Sequence, residues 1–127
     1  MVTPSQTDSR SGFAEFLREQ RFKLAERDPR RYSLRQVAGR IGVEPSYLSK
    51  VERGLEPPPG EATAVALARE LELDPDLLLA MAGKVSSELQ TIIRKRPKLF
   101  GDLIRALKDQ PDHAVLRIVR EVRDGKW

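Results

Sequence analysis

The sequence of 127 residues predicts an all-α protein. Apolar residues recur at three- and four-residue spacing in eight successive segments, the pattern of helices that bury one face. Residues that cap or break helices separate these segments, among them Ser33, Gly42, Asp74 and Pro97. The prediction is a five-helix domain over residues 11–83, followed by a small C-terminal helical segment over residues 84–127.

The chain begins with residues 1–10, which are polar, lack periodicity and predict a disordered tail. Apolar residues from Phe13 to Leu24 then predict a first helix over about residues 12–26. Pro29 ends it, because the residue before a proline is pushed out of helical geometry. Arg30 and Arg31 follow in a loop, where a phosphate contact and a solvated surface are equally open interpretations.

Residues 33–54, SLRQVAGRIGVEPSYLSKVERG, predict two short helices joined by a tight turn. Ser33 and Gln36 can form a capping box, so the first of these helices begins at Leu34. Gly42 suits the left-handed residue that ends a helix, and Pro45 suits the first turn of the next one. Such a short turn predicts the steep crossing of a helix-turn-helix unit.

On the second of these helices, Leu48 and Val51 face the core, and the opposite face is free up to Gly54. A fourth helix is expected from about Glu61 to Leu71. Its predicted inner residues are Val65, Ala68 and Leu71, with Leu67 at the flank. Asp74 can cap a fifth helix that begins at Pro75 and stops at Gly83.

The stretch from about Phe13 to Ala82 resembles the helix-turn-helix domain of the phage-repressor-like (Cro/C1-type, XRE) transcriptional regulators. The resemblance lies in Leu34, Ala38, Gly42-Val43 and the run Tyr47-Leu48-Ser49-Lys50-Val51-Glu52-Arg53-Gly54. It implies a five-helix repressor-like domain whose helix at 45–53 enters the major groove of double-stranded DNA. Glu44 departs from the family pattern, since Ser or Thr usually stands there and glutamate caps poorly.

The resemblance also implies which residues bind DNA. Ser46 and Lys50 are expected to reach base edges, because lysine can donate to guanine and a serine hydroxyl serves either base type. Arg53 is expected to contact a phosphate, whereas Tyr47 is open between a phosphate contact and packing. The full candidate set is Ser46, Tyr47, Ser49, Lys50, Arg53, Arg35, Pro45, Arg30 and Arg31. Glu52 is expected to pair with an arginine or to cap a neighbouring amide inside the domain.

Residues 84–127 carry three further segments with helical spacing, bracketed by Ser86 or Ser87, Pro97, Pro111 and Gly125. Because short helices are marginal alone, their apolar faces need a partner surface. We expect a homodimer, since a symmetric pair of recognition helices reads two half-sites. The alternative is that these helices cap a monomeric core. Arg94, Lys95, Arg96 and Lys98 cluster near Pro97, and a solvated face is favoured there over a DNA contact.

Charge is distributed unevenly along the chain. Residues 10–53 contain eleven Lys and Arg against six acids, whereas residues 61–83 contain one base against five acids. The motif therefore lies in the basic part of the chain.

Other functional classes have little support in the sequence. The chain has no cysteine, no apolar run long enough to span a membrane and no signal peptide, so a cytoplasmic protein is expected. No catalytic constellation appears, and His113 is the lone histidine, so we expect no enzyme activity, cofactor or metal.

The sequence thus favours a dimeric repressor that binds a palindromic operator. One alternative is an antitoxin-type regulator whose C-terminal helices bind a partner toxin, and another is a protein-interaction adaptor that never binds DNA. By resemblance, a regulatory metallopeptidase is a further candidate partner, with residues 94–99 as its cleavage region.

Overall fold

The computed structural model describes the backbone of residues 4–125 and the side chains of residues 12–125. This described part contains eight α-helices and no strand, which confirms the predicted all-α fold. The helices are α1 Pro4–Arg27, α2 Leu34–Ile41, α3 Pro45–Glu52, α4 Glu61–Glu70, α5 Pro75–Met81, α6 Ser87–Lys95, α7 Pro97–Leu107 and α8 Asp112–Asp124. Within residues 4–125, none of them combines the length and apolar character that crossing a bilayer requires.

The chain divides into two compact units, Met1–Ser86 and Ser87–Trp127, referred to below as the N-terminal unit and the C-terminal unit. The boundary lies three residues beyond the predicted one, which followed residue 83. A contact accounts for part of this difference, because Lys84 Nζ donates a hydrogen bond of 3.2 Å to the carbonyl of Pro59. Lys84 is thereby attached to the N-terminal unit.

Helix α1 begins eight residues before the position that the apolar pattern predicts. Residues 4–10, predicted as part of a disordered tail, belong to this helix, and residues 1–3 lie outside the described part. Pro4 is the first residue of the helix, a position where proline is common, and residues 5–11 contain no proline or glycine that would interrupt it. The helix ends where Asp28 N–H donates to Leu24 O at 3.0 Å, just ahead of Pro29.

Five helices enclose the core of the N-terminal unit. Helix α1 packs on α3 and α5, α2 packs on α3 and α4, and α4 packs on α5. The large side chains that this packing buries completely are Phe13, Leu17, Val37, Leu48, Val51, Leu67, Leu71, Leu78 and Leu79. The predicted apolar faces of α1, α2 and α3 are therefore the ones that the structure buries.

The inner face of α4 differs slightly from the prediction. Ala64, Leu67, Ala68 and Leu71 are buried, whereas Val65 is only half-buried. Alanine at position 64 leaves room for close approach of the neighbouring helix, so the small residue lies inward and Val65 lies at the edge of the core. The buried positions 64, 67, 68 and 71 follow the i, i+3, i+4, i+7 spacing of one helix face, so Ala64 and not Val65 is the residue that this spacing places inward.

The predicted turn between α2 and α3 is confirmed at Gly42. This residue has φ 75°, and the N–H of Val43 donates to Ala38 O at 3.0 Å, as in a Schellman helix end. Helix α4 ends in the same way without a glycine. Glu72 has φ 57°, and Leu73 N–H donates to Ala68 O at 2.8 Å. A non-glycine residue in this conformation is uncommon, so no sequence signal indicates the ending.

A buried ion pair joins α1 to the end of α3. Arg21 Nε donates to Glu52 Oε2 at 2.6 Å and Arg21 Nη2 donates to Glu52 Oε1 at 2.8 Å. Arg21 Nη1 also donates to the carbonyl of Tyr32 at 3.2 Å, and Arg18 Nη1 donates to the carbonyl of Glu52 at 2.7 Å. The prediction that Glu52 pairs with an arginine is confirmed. Two arginines of α1 thus bind the last residue of α3, Arg21 at its carboxylate and Arg18 at its backbone carbonyl.

The C-terminal unit contains α6, α7 and α8, and α6 packs on α7. Among its described helical residues none is fully buried. Nine large apolar side chains of this unit are instead exposed: Leu89, Ile92, Leu99, Leu103, Ile104, Leu116, Ile118, Val119 and Val122. Taken by itself, this unit therefore presents much more apolar surface than the N-terminal unit does.

The buried ion pair leads to a prediction about stability. Arg21→Met leaves the Glu52 carboxylate buried without its partner, which typically costs about 3–5 kcal/mol of unfolding free energy. Urea denaturation of the full chain measures this change. The matched control is Arg27→Met, because the Arg27–Glu72 pair is more than half exposed on both sides and such pairs contribute about 0–1 kcal/mol. Equal losses in the two variants would contradict the assigned role of the buried pair.

Candidate nucleic-acid interface

Helix α3 has two faces of opposite character. Leu48, Val51 and Glu52 are buried, whereas Ser46, Lys50 and Arg53 are exposed. The buried residues attach the helix to the core of the N-terminal unit, and the ion pair of Glu52 fixes its last turn. The exposed residues are thus presented to solvent by a helix that is anchored along its opposite side.

The remaining candidates on α3 are less accessible. Pro45 and Ser49 are half-buried, and Tyr47 is half-buried and packs against the core. The packing interpretation of Tyr47 therefore has structural support. Arg53, the residue directly after α3, donates from Nε to the carbonyl of Ser49 at 3.3 Å. Its guanidinium therefore folds back onto the last turn of α3.

The start of α3 carries the departure that the sequence indicated. Glu44 occupies the N-cap position and its side chain makes no capping hydrogen bond. By contrast, Ser33 at the start of α2 accepts a hydrogen bond from the Gln36 N–H at 3.2 Å, and Asp74 at the start of α5 accepts one from the Asp76 N–H at 3.0 Å. Helix α3 consequently begins without the side-chain cap that α2 and α5 possess.

A second group of candidates lies in the loop before α2. Arg30 and Arg31 are exposed and line a shallow open depression together with Ser33, Gln36 and Arg40. The loop is ordered by Asp28, whose side chain accepts from the Arg31 N–H at 3.1 Å. The structure thus brings both loop arginines to the start of α2, while Arg35 is exposed on α2 itself.

The ring of Tyr32 lies beneath the guanidinium groups of Arg31 and Arg40, two of the residues that line this depression. It is buried, and the guanidinium carbons of Arg31 and Arg40 lie 5.6 Å and 5.9 Å from its ring centroid. The hydrogen bond from Arg31 Nε to the Tyr32 hydroxyl, 3.3 Å long, raises the pKa of Arg31 above its ordinary value. Arg40 also donates to the Arg31 carbonyl at 2.6 Å and pairs with Glu70.

Three residues at this site were not predicted from the sequence as functional candidates: Gln36, Arg40 and Tyr32. Tyr32 follows two arginines directly, and Arg40 lies two turns along α2 from Ser33. An aromatic residue beside a basic pair is a usable signal, because guanidinium groups stack on aromatic faces. The contact from Arg40 to the loop carbonyl depends on tertiary structure and has no local signal.

Comparison with known proteins gives one match. Residues 13–81, more than half of the chain, match the family of helix-turn-helix domains. The chain belongs to this family. The match begins at Phe13 in α1 and ends at Met81, the last residue of α5, so it covers the five packed helices of the N-terminal unit from the first residue of their core. No curated protein and no solved structure matches the chain.

The helix-turn-helix match indicates a DNA-binding regulator. In such domains the second helix of the motif is presented to the duplex, and here that helix is α3, which follows α2 after the turn at Gly42. The exposed face of Ser46, Lys50 and Arg53 therefore lies on the element that this fold uses for binding.

The missing cap of α3 generates a prediction. Glu44→Ser places a hydroxyl where it can accept a hydrogen bond from the first turn of α3, which is expected to raise the free energy of unfolding by about 0.5–1 kcal/mol. Urea denaturation of the full chain measures the gain. Glu56→Ser is the matched control, because it removes the same charge from a segment outside the helices. A gain in both variants, or in neither, would show that capping is not responsible.

Proposed function

We propose that this helix-turn-helix protein is a sequence-specific transcriptional regulator of the phage-repressor-like (Cro/C1-type, XRE) kind, which binds a palindromic operator as a homodimer and represses transcription. The observation that supports this proposal most directly is the division of α3 into a buried face and an exposed polar face. A helix anchored in this way can enter a major groove without disturbing the core.

The roles on α3 follow from side-chain chemistry. Lys50 can donate to guanine O6 and N7, and Ser46 and Ser49 can bond either base type with weak discrimination. Pro45 has no donor and suits contact with a thymine methyl group. Arg53, which directly follows the last residue of α3, is assigned to contact a backbone phosphate.

Phosphate contacts would position the motif on the duplex. Arg30 and Arg31 are exposed in a loop that Tyr32 and Arg40 hold in place, and Arg35 is exposed on α2. Contacts of this kind set register and affinity but carry no sequence information. Tyr47, which packs against the core, is assigned to support α3 rather than to bind a phosphate.

The C-terminal unit is the proposed dimer interface. Its nine large apolar side chains are each between 37% and 65% exposed. Since fully burying one such side chain contributes about 1.5–3 kcal/mol, covering nine half-exposed ones offers on the order of 10 kcal/mol before the costs of association. A second copy is the partner that suits a palindromic operator, because two-fold symmetry presents two recognition helices.

An antitoxin-type regulator is the alternative function. The same apolar surface of the C-terminal unit would then bind an unrelated small toxin. Co-purification of the natively expressed chain with such a protein would favour the alternative, whereas a homodimer alone favours the simple repressor.

The proposed readout predicts different behaviour for two basic residues. Lys50→Ala is expected to lose about 1–3 kcal/mol on the operator and to relax specificity at one base position, because a base contact is removed. Arg53→Ala is expected to weaken binding to all duplexes alike. The operator is first selected from a random duplex library, and titrations then compare it with scrambled DNA.

Lys23→Ala serves as the control for this experiment, because Lys23 is an exposed lysine on α1 and its loss changes net charge by the same amount. It should leave the ratio of operator to scrambled affinity unchanged. If Lys50→Ala also left that ratio unchanged, the assigned reading role of Lys50 would be wrong.

The proposed interface predicts a second pair of variants. Leu103→Glu places a charge in the apolar surface of the C-terminal unit, so the dimer dissociation constant should rise at least about 30-fold, equivalent to about 2 kcal/mol. Sedimentation equilibrium of the full chain measures it. Leu55→Glu is the control, because Leu55 is also exposed, at 60% against 48% for Leu103, but lies in the N-terminal unit. An unchanged dimer in Leu103→Glu, or a monomeric unmodified chain, counts against the interface.

A further inference from the structure

The two units of the chain differ sharply in charge. Residues 1–86 contain 13 lysines and arginines against 13 acids, whereas residues 87–127 contain ten against six. The formal charge of +4 therefore belongs entirely to the C-terminal unit, although the helix-turn-helix match lies in the other unit. Non-specific attraction to DNA comes from neutralised phosphates and needs cations that acids do not offset. Within the N-terminal unit the excess of bases in residues 10–53 is offset by acids elsewhere, mainly in residues 61–83, so the C-terminal unit is the one with a net excess of cations.

Four of the cations are concentrated at the corner between α6 and α7. Arg94 and Lys95 form the last turn of α6, Arg96 is the N-cap of α7, and Lys98 follows Pro97 in the first turn of α7. All four side chains are exposed, and no acid stands between positions 94 and 98. Among the described residues they have no ion-pair partner, and Arg94 donates only to Gln90 Oε1 at 3.3 Å. We refer to these four residues as the basic corner.

The basic corner is held in one geometry. Arg96 N–H donates to Ile93 O at 3.1 Å, and Phe100 N–H donates to Arg96 O at 3.0 Å, so the backbone is bonded on both sides of the break. Helices α6 and α7 also pack against each other. Four cationic residues are thus carried within five consecutive positions of a junction whose backbone is hydrogen-bonded on both sides.

Helix stability explains only half of this arrangement. Cations near the end of a helix interact favourably with its macrodipole, which accounts for Arg94 and Lys95. The first turn of a helix favours acids, yet Arg96 and Lys98 stand at the start of α7. These two residues oppose both the helix dipole and the charge of their neighbours, so a polyanionic ligand is the simpler explanation for all four.

We propose that the basic corner is a second DNA contact, which binds backbone phosphates without regard to sequence. The inference rests on the proposed function, because DNA held by the helix-turn-helix domain is the polyanion that the chain encounters at high local concentration. Only residues 82–86 connect α5 to α6, so binding through one unit raises the effective concentration of duplex for the other. The N-terminal unit would read sequence, and the C-terminal unit would add salt-dependent attraction to the phosphate contacts of the N-terminal unit.

The test removes the charges of the basic corner from the full chain, with Arg94→Gln, Lys95→Gln, Arg96→Gln and Lys98→Gln combined. The matched control combines Lys108→Gln, Arg117→Gln, Arg120→Gln and Arg123→Gln, which removes four exposed cations from the same unit. Far-ultraviolet circular dichroism verifies that both variants keep their helices. Affinity for a random-sequence duplex and for the selected operator is then measured against salt concentration.

For the basic-corner variant, the slope of log affinity against log salt should become shallower by roughly 2–4, at about 0.9 for each lost phosphate contact. Near 0.1 M salt, binding to both duplexes should weaken at least tenfold, with the ratio of operator to random affinity unchanged. The control variant should change the slope by less than about 1. An unchanged slope in the basic-corner variant, or equal changes in both variants, would overturn the proposal.

Two further results separate this inference from its alternatives. If the unmodified chain binds duplexes but selects no sequence, the proposed function fails, while the slope change still decides whether the basic corner binds phosphates. If the unmodified chain binds no duplex at all, both proposals fail. A third result would identify lipid as the ligand. Phosphatidylglycerol vesicles would then bind the unmodified chain but not the basic-corner variant, while the salt dependence of DNA binding would be the same for both. In that case the corner binds lipid and this proposal is wrong.

Discussion

The bidentate ion pair between Arg21 and Glu52 is the constraint on which the presentation of α3 depends. Because both charges are buried, neither side chain can move away without leaving the other unsatisfied. Arg21 also binds the Tyr32 carbonyl, and Tyr32 in turn lies under Arg31 and Arg40. One guanidinium of α1 therefore connects the end of the exposed helix to the loop that carries the other basic residues. Both parts of the candidate interface share a single support.

Charge and recognition are separated along this chain. The N-terminal unit balances its acids and bases, and several of its arginines are committed to internal bonds: Arg18 to Glu52, Arg40 to Glu70 and Arg27 to Glu72. The C-terminal unit leaves the four cations of its α6–α7 junction unpaired among the described residues. Under the proposed function, the N-terminal unit recognises the DNA sequence, and the C-terminal unit joined to it attracts any duplex. Specificity and affinity would then be adjustable in different parts of the sequence.

Local signals account for what the sequence predicted well. The capping serine of α2, the glycine at 42 and the proline that opens α3 act within a few residues, so their positions in the structure agree with the pattern. The left-handed Glu72 and the contact of Arg40 with the loop have no periodic signal in the sequence, whereas the inward Ala64 fits the helical spacing of Leu67, Ala68 and Leu71 and was missed. The free face of α3 follows from the same local pattern, which does not reveal the bases that this face would meet.

The two faces of α3 also have an evolutionary consequence. The residues that stabilise the fold, Leu48, Val51 and Glu52, do not overlap with the exposed Ser46, Lys50 and Arg53. Substitutions on an exposed helix face usually change stability by less than about 0.5 kcal/mol. After gene duplication, a copy of this protein could therefore drift through many exposed-face sequences while remaining folded. New target preferences would be accessible by single steps, without compensating changes in the core.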